Sequence, residues 1–210
     1  MRIEINRFFL MALCLAIQSG YSQYKTAFKI QDSSIKVVVF EAQQVSLIRL
    51  DTSSQTTFTF NSASEGSYKT DLYFDYAVNQ DSLIIKSIYP KHLEFGDDKM
   101  TSMQEFSVSV SLSLPKQLTL IIDSEIASVE GSGKYKHVQI NTKSGNCKLI
   151  NFLGDATINT FKGKIYIKTR RAKVEAKSQT GDVDIQSALV KNYQLNLRTV
   201  NGDIEVIQAK

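Results

Sequence analysis

The sequence predicts an all-β chain. Its C-terminal half reads as a single-stranded β-helix, or solenoid, of about 18–21 residues per coil, preceded by an irregular antiparallel β region. Three observations predict this. Apolar residues recur at every second position along most of the chain, the signature of strands with one buried face. There are only two prolines, Pro90 and Pro115, and no window carries a 3.6-residue apolar period. From about residue 125 onward, a phrase that often opens on glycine recurs, at a spacing of nine residues from 136 to 181, twelve from 181 to 193, then nine again. GDATINTFKGKIYIKT (154–169) holds two such phrases back to back.

The chain opens on a segment that does not belong to the fold. Arg2 and Arg7 precede an apolar run from Phe8 to Ile17, followed by a small, polar exit. That is the build of a secretory leader over residues 1–23, and it is shorter than the about 20 apolar residues that a spanning helix needs. Cleavage is expected between Ser19 and Gln23. A lipidated Cys14 is the other reading, but Leu13 stands where a small residue is required and the apolar run continues past it. The leader takes two arginines and one glutamate with it, so the net charge falls from +4 to about +3. A charge so small and so evenly spread gives no argument for nucleic acid or an anionic membrane as partner, and no nucleic acid is expected. Only Cys147 of the two cysteines remains, so no internal disulfide forms. No later segment is apolar enough to span a bilayer.

Residues 24–105 read as the N-terminal β region. Alternation marks KVVVFEA (36–42), VSLIRL (45–50), TTFTF (56–60), DLYFDYAV (71–78) and SLIIKSI (82–88), separated by DTSSQ, NSASEGS and NQD. Residues 91–104 show no period and read as an excursion loop. FSVSVSLSL (106–114) then alternates without error and opens the repeat domain, 106–210.

In that domain, residues two and four positions past each anchor are expected to face inward. Glu125, Lys136, Gly145, Gly154, Gly163, Ala172, Gly181, Tyr193 and Gly202 serve as anchors, and all eighteen positions so defined are apolar. Six residues past successive anchors stand Thr142, Asn151, Thr160, Thr169, Ser178, Ser187 and Thr199, a ladder of short side chains that can bond to turn backbone. Fixed-period units that cannot bury a core alone stack as solenoids. A meander of hairpins would explain the alternation but not the constant phase.

The phrases LSLPKQLTLIIDSE (112–125), TKSGNCKLINFLGDATI (142–158), SQTGDVDIQ (178–186) and RTVNGDIEVI (198–207) resemble the adhesin-like β-helix family of secreted bacterial envelope proteins. That family is similar to the heads of autotransporter adhesins. The resemblance covers roughly 24–210 and is strongest from 106. It implies a fold and a cell-envelope setting, and it brings no catalytic residues. The chain departs from the pattern at Arg170-Arg171-Ala172 and at Ser124-Glu125, where glycine is missing.

Chemistry is sparse. His92 and His137 stand far apart, Cys147 points into the expected core, and no zinc spacing, phosphate loop or nucleophile elbow is present. No catalytic residue and no cofactor is expected. Asp155, Asp182 and Asp203 recur at equivalent corners; they read as turn residues, with Asp182 and Asp203 also weak calcium candidates. Phe152 and Phe161 fall beside the threonine ladder and either staple corners or offer an edge to a ligand. With the outward Tyr166, Lys168 and Arg170, they form the expected binding surface. The last coil ends at Lys210 without a polar cap, so self-association through it is expected, or cover by a partner or the N-terminal half. The expected function is adhesion-like contact with a protein or a glycan by an exported, non-catalytic chain of the periplasm, outer surface or medium. A polysaccharide lyase or hydrolase on the same scaffold and a periplasmic structural role are the alternatives.

The inward and outward assignment is testable. A charge at Ile165, as Ile165→Asp, should lower the unfolding midpoint severely, whereas Lys168→Glu should leave it within about 0.5 kcal/mol of the parent. Equal effects in thermal or urea unfolding would sink the assignment.

Overall fold

The computed structural model describes residues 24–65, 73–88, 107–186 and 192–209. The expected leader, the excursion loop at 91–104 and Ser187 of the expected ladder lie outside them. Among the described residues all regular elements are strands, so the all-β expectation holds. They are β1 (Tyr24–Gln31), β2 (Val37–Ala42), β3 (Leu47–Ser53), β4 (Thr57–Glu65), β5 (Tyr73–Asn79), β6 (Ser82–Ile88), β7 (Ser107–Pro115) and β8 (Thr119–Ser124). There follow β9 (Ser128–Ser144), β10 (Cys147–Lys162), β11 (Ile165–Thr169), β12 (Lys173–Ser178), β13 (Val183–Ile185), β14 (Gln194–Asn201) and β15 (Ile204–Gln208). Each alternating stretch named above contributes one of these strands over its described residues. β1 adds one more, in which Thr26, Phe28 and Ile30 lie half-buried between exposed Lys25, Ala27 and Lys29.

The strands form one sheet of mixed direction. β9 and β10 are long enough to belong to two ladders at once. In the first ladder β1, β4, β7, β3, the start of β9, the start of β10, β11, β15 and β13 lie side by side. In the second, the order is β5, β6, β2, β8, the end of β9, the end of β10, β14 and β12. Antiparallel pairing is confined to β1–β4, β4–β7 and β5–β6. All other pairs are parallel, including β2 and β3 of the expected antiparallel region. β3 lies between β7 and β9, so the sheet has no break at 105/106.

The repeat shows directly in the register. Cys147 lies opposite both Val129 and Ile165, and Ala156 lies opposite Val138, which lies opposite Leu120: each step is eighteen residues. Because the register is preserved, inward side chains meet like neighbours above and below. Val129, Cys147, Ile165 and Ile204 line one inner row, and Leu120, Val138, Ala156 and Leu195 the other, all essentially inaccessible. At about 1.5–3 kcal/mol per large apolar side chain buried, these rows supply the main driving force of the fold.

The stacking order departs from the order of the chain. Constant spacing would set Val174 beside Ala156 and Val183 beside Ile165. Instead Leu195 pairs with Ala156 and Val174 lies beyond it, while Ile204 pairs with Ile165 and Val183 lies beyond that. The β14–β15 segment is thus inserted beneath β12–β13. Burial explains the choice: Leu195, Leu197, Ile204 and Val206 are sealed, whereas Val183 and Ile185 at the rim remain 42% and 38% exposed. Putting the leucines inside and Val174 and Ala176 at the edge hides more apolar surface than the reverse. The open end expected at the last coil is therefore elsewhere. β15 is paired on both sides, and the Ala209 N–H donates to the Thr169 carbonyl at 2.9 Å. β12 and β13 are the rim strands. At the opposite end Phe28 of β1 stacks on Phe60 at 4.6 Å and on Tyr76 of β5 at 4.4 Å, bridging the two ladders.

One corner between the ladders is a column of glycines. A methyl on Gly145 would strike the Ala127 carbonyl; on Gly163, that of Gly145; on Gly202, that of Gly163; and on Gly181, that of Gly202. Gly145 and Gly202 also hold φ of 141° and 154°, which side chains disfavour. Gly163→Ala should therefore destabilise the chain by about 3 kcal/mol, through overlap with backbone that cannot yield. Lys162→Ala next to it should cost under about 0.5 kcal/mol. Urea unfolding of the two variants measures the difference, and a mild Gly163→Ala would contradict the column.

Candidate functional site

The second ladder carries one outward row in strict register: Asp123, Asn141, Asn159, Arg198 and Lys177, contributed by β8, β9, β10, β14 and β12. The amides form a chain. Asn141 Nδ2 donates to Asp123 Oδ1 at 2.8 Å, and Asn159 Nδ2 donates to Asn141 Oδ1 at 3.0 Å. Beyond Asn159 the row becomes cationic. Arg198 and Lys177 are both exposed, and among the described residues neither forms an ion pair.

Where this row meets the corner there is a shallow groove of about 420 Å³. Asn159, Arg198 and Lys177 line it together with Phe161, Gln179 and Val200, over a strip of Thr142, Thr160 and Thr199. Phe161 is 59% exposed, an unusual state for so large an apolar ring. The threonine strip is the expected ladder. Thr142 Oγ1 donates to the Ser144 carbonyl at 3.0 Å and Thr199 Oγ1 to that of Gly163 at 3.2 Å. Among the described residues no protein group hydrogen-bonds the buried Thr160 hydroxyl between them.

A second groove, about 300 Å³, lies on the first ladder beside Arg49, Glu130 and Lys148. There Glu130 stands in register between Arg49 and Lys148, an acid separating the two cations. Two cations on adjacent strands with no acid between them, and the bare ring, make the first groove the candidate site.

The residues expected to bind do not form one surface. Phe152 is a correction: it is fully buried, its ring stacked on Tyr135 at 5.8 Å. The register of β10 shifts between Ile150 and Phe152, and Asn151 takes φ 53°, which exposes the asparagine and turns the next ring inward. Phe161 lies in the groove as described. Tyr166 and Lys168 are half-buried on the first ladder, Tyr166 between Lys148 and Glu205, Lys168 between Ile150 and Ile207. Arg170 is exposed in the turn after β11. Arg198 and Lys177 were legible as outward residues, but nothing in the sequence singled them out, because an unpaired cation is defined by its cross-strand neighbours.

The aspartates serve the turns. Asp155 Oδ1 accepts the Gln194 N–H at 2.9 Å, holding the start of β14. Asp203 is paired with Lys164 at 2.6 Å and accepts the Asp182 N–H at 3.3 Å. The Lys164 hydrogen bond, then the Asp182 amide, hold its carboxyl below the usual range. An ammonium thus occupies the neighbourhood a calcium ion would need, and no cluster of three or more His, Cys, Asp or Glu that could hold a metal occurs among the described residues.

These features define an all-β protein that carries its polar surface on strand faces. The chain belongs to the Toastrack DUF4097 family, whose model matches residues 94–209. Among solved structures it is similar to a putative cell adhesion protein from Clostridium sporogenes, 10% identical, with a TM-score of 0.68 over 90% of this chain and 100% of that one. That likeness shows a shared fold. A putative adhesin from Bacteroides fragilis (11% identical, TM-score 0.38, 89% and 99% covered) and a putative lipid binding protein from Parabacteroides distasonis (12%, 0.31, 89% and 97%) also match, at scores that carry no argument. No curated protein matches the chain. Beyond family membership and the shared fold, the words adhesion and adhesin belong to those neighbours.

Burial pushes the Cys147 thiol up to about 12. In the folded chain it should resist iodoacetamide at pH about 8.5, where an ordinary thiol is half ionised, and react fully in denaturant. Because the folded value is the higher, the associated stability is complete below about 8.5 and is lost as pH rises from there toward 12. Rapid native labelling would contradict the sealed core.

Proposed function

We propose that the chain is an exported, non-catalytic, adhesin-like protein of the cell envelope that binds protein or glycan through its outward strand faces. Residues 1–23 act as its leader, and 106–210 form a single-stranded β-helix of about 18–21 residues per coil whose two faces are the two ladders. The observation that carries this reading is the register itself. Parallel strands in constant phase put the apolar side chains in one sealed interior and align polar ones in straight rows outside, a broad flat surface well suited to contact with an extended partner. Two further observations support a binding rather than a catalytic role. The thiol of Cys147 is enclosed, and the Asp203 carboxylate is committed to Lys164.

Protease shaving of intact cells followed by fractionation tests the location: release from the surface is expected, and a protein wholly sheltered in the periplasm would overturn adhesion. A glycan array and a reducing-sugar release assay on the purified chain separate binding from turnover. Binding without release is expected. Polysaccharide cleavage abolished by Asp182→Ala would overturn the non-catalytic reading.

A further inference from the structure

We infer that the Phe161–Arg198–Lys177 groove is a subsite for a carboxylate-bearing glycan, which rests on the surface-binding reading above and gives it a place and a ligand class. The groove crosses four adjacent strands, from Thr142 on β9 through Asn159 to Arg198 and the Lys177 of rim strand β12. At about 4.8 Å per strand, that is roughly 14 Å along the stack, the reach of a short oligosaccharide rather than a single sugar.

Each lining group fits one part of such a ligand. The Phe161 ring offers a flat apolar platform at the rim for the C–H face of a sugar ring. Arg198 presents a planar fork that grips a carboxylate through two parallel hydrogen bonds, and Lys177 beside it adds a mobile point charge. Asn159, whose Nδ2 is committed to Asn141, keeps its Oδ1 for a hydroxyl, and the exposed Gln179 supplies both a donor and an acceptor.

Charge distribution selects an anion over a neutral glycan. Of the acidic side chains at this end of the molecule, Asp184 and Glu205 stand opposite each other on the first ladder, Asp203 is paired with Lys164, and Asp182 lies in the corner turn after Gly181. On the second ladder, Asp123 of the same row lies three strands from Arg198 and accepts from Asn141 Nδ2, and Glu175 on β12 is bonded to Lys173 at 3.0 Å. Arg198 and Lys177 are thus left as an uncompensated pair. An anionic membrane is a poorer fit. Membrane-binding patches gather about four to eight basic residues or an apolar helix face, whereas this groove has two cations and a single exposed ring.

The test is calorimetric titration of the full chain with short galacturonate and glucuronate oligomers, their methyl esters, and phosphatidylserine vesicles. Binding to the acids is expected, weakening as salt rises. The esters should bind at least about tenfold more weakly, and Arg198→Ala should cost about tenfold or more, the loss of one charge-assisted pair. Phe161→Ala should cost several-fold. Lys29→Ala, the same charge change at the far end on β1, should leave affinity unchanged. All three side chains are exposed, so the variants should keep the parent unfolding curve. No binding to either acid overturns the assignment, as does equal affinity for acid and ester, or full affinity in both Arg198→Ala and Phe161→Ala. Vesicle binding lost in Arg198→Ala overturns it in favour of a lipid headgroup. Those results leave the broader reading intact if the array and shaving experiments succeed, so the two can fail separately.

Discussion

The close approach of glycine to carbonyl at one corner of the sheet is the constraint on which the rest depends. Ala127, Gly145, Gly163, Gly202 and Gly181 sit one above another, each glycine packed on the carbonyl beneath it. The backbone there bonds across the gap, Gly145 N–H to the Lys162 carbonyl at 3.0 Å and Gly163 N–H to that of Asn201 at 2.9 Å. The strands that follow continue the spacing, with Cys147 N–H on the Lys164 carbonyl at 2.8 Å and Ile165 N–H on that of Asp203 at 2.9 Å. Were a side chain to hold one corner away, the ladder beyond it would open, and with it the inner row that Cys147, Ile165 and Ile204 fill. Local backbone geometry and the hydrophobic core are therefore not separate contributions here. The first sets the distance at which the second can pack.

This is also why so much of the fold was legible. Ser144-Gly145-Asn146, Thr180-Gly181-Asp182 and Asn201-Gly202-Asp203 look alike because they occupy the same column. The other corner, anchored by Lys136, Gly154, Ala172 and Tyr193, excludes a side chain only at Gly154, where a Cβ would meet the Tyr135 carbonyl, and shows no such likeness. Alternation then assigned Val138, Ile140, Leu195 and Leu197 to the interior without any knowledge of their neighbours. Two things escaped that logic. Periodicity says which residues share a row but not which strands are adjacent, so the insertion of β14–β15 beneath β12–β13 was invisible. It follows from comparing whole strands, Leu and Ile against Ala and Val, for the more buried place. A bulge resets the phase, so Phe152 could not be placed without seeing that Asn151 takes φ 53°.

The candidate site was legible in part for the same reason. Asn159, Lys177 and Arg198 could be put on the outside, and Phe161 beside a corner. Their relation could not. An outward lysine is ordinary on a rim strand, where charge guards the exposed edge against further pairing. It acquires another meaning only when the next strand presents an arginine and no acid.

The inserted strand supplies that arrangement. Had the coils stacked in chain order, Lys177 would lie against Asn159 and Arg198 would be the rim residue. The observed order is Asn159, Arg198, Lys177. The rigid fork, which loses little freedom on binding a carboxylate, stands in the middle of the groove between neighbours that limit its motion, and the flexible ammonium stands at the edge, where charge matters more than geometry. The packing preference that draws Leu195 and Leu197 inward thus carries Arg198 with it, since all three ride on β14. A single choice of stacking order, made by the apolar face of one strand, sets the arrangement of the polar face.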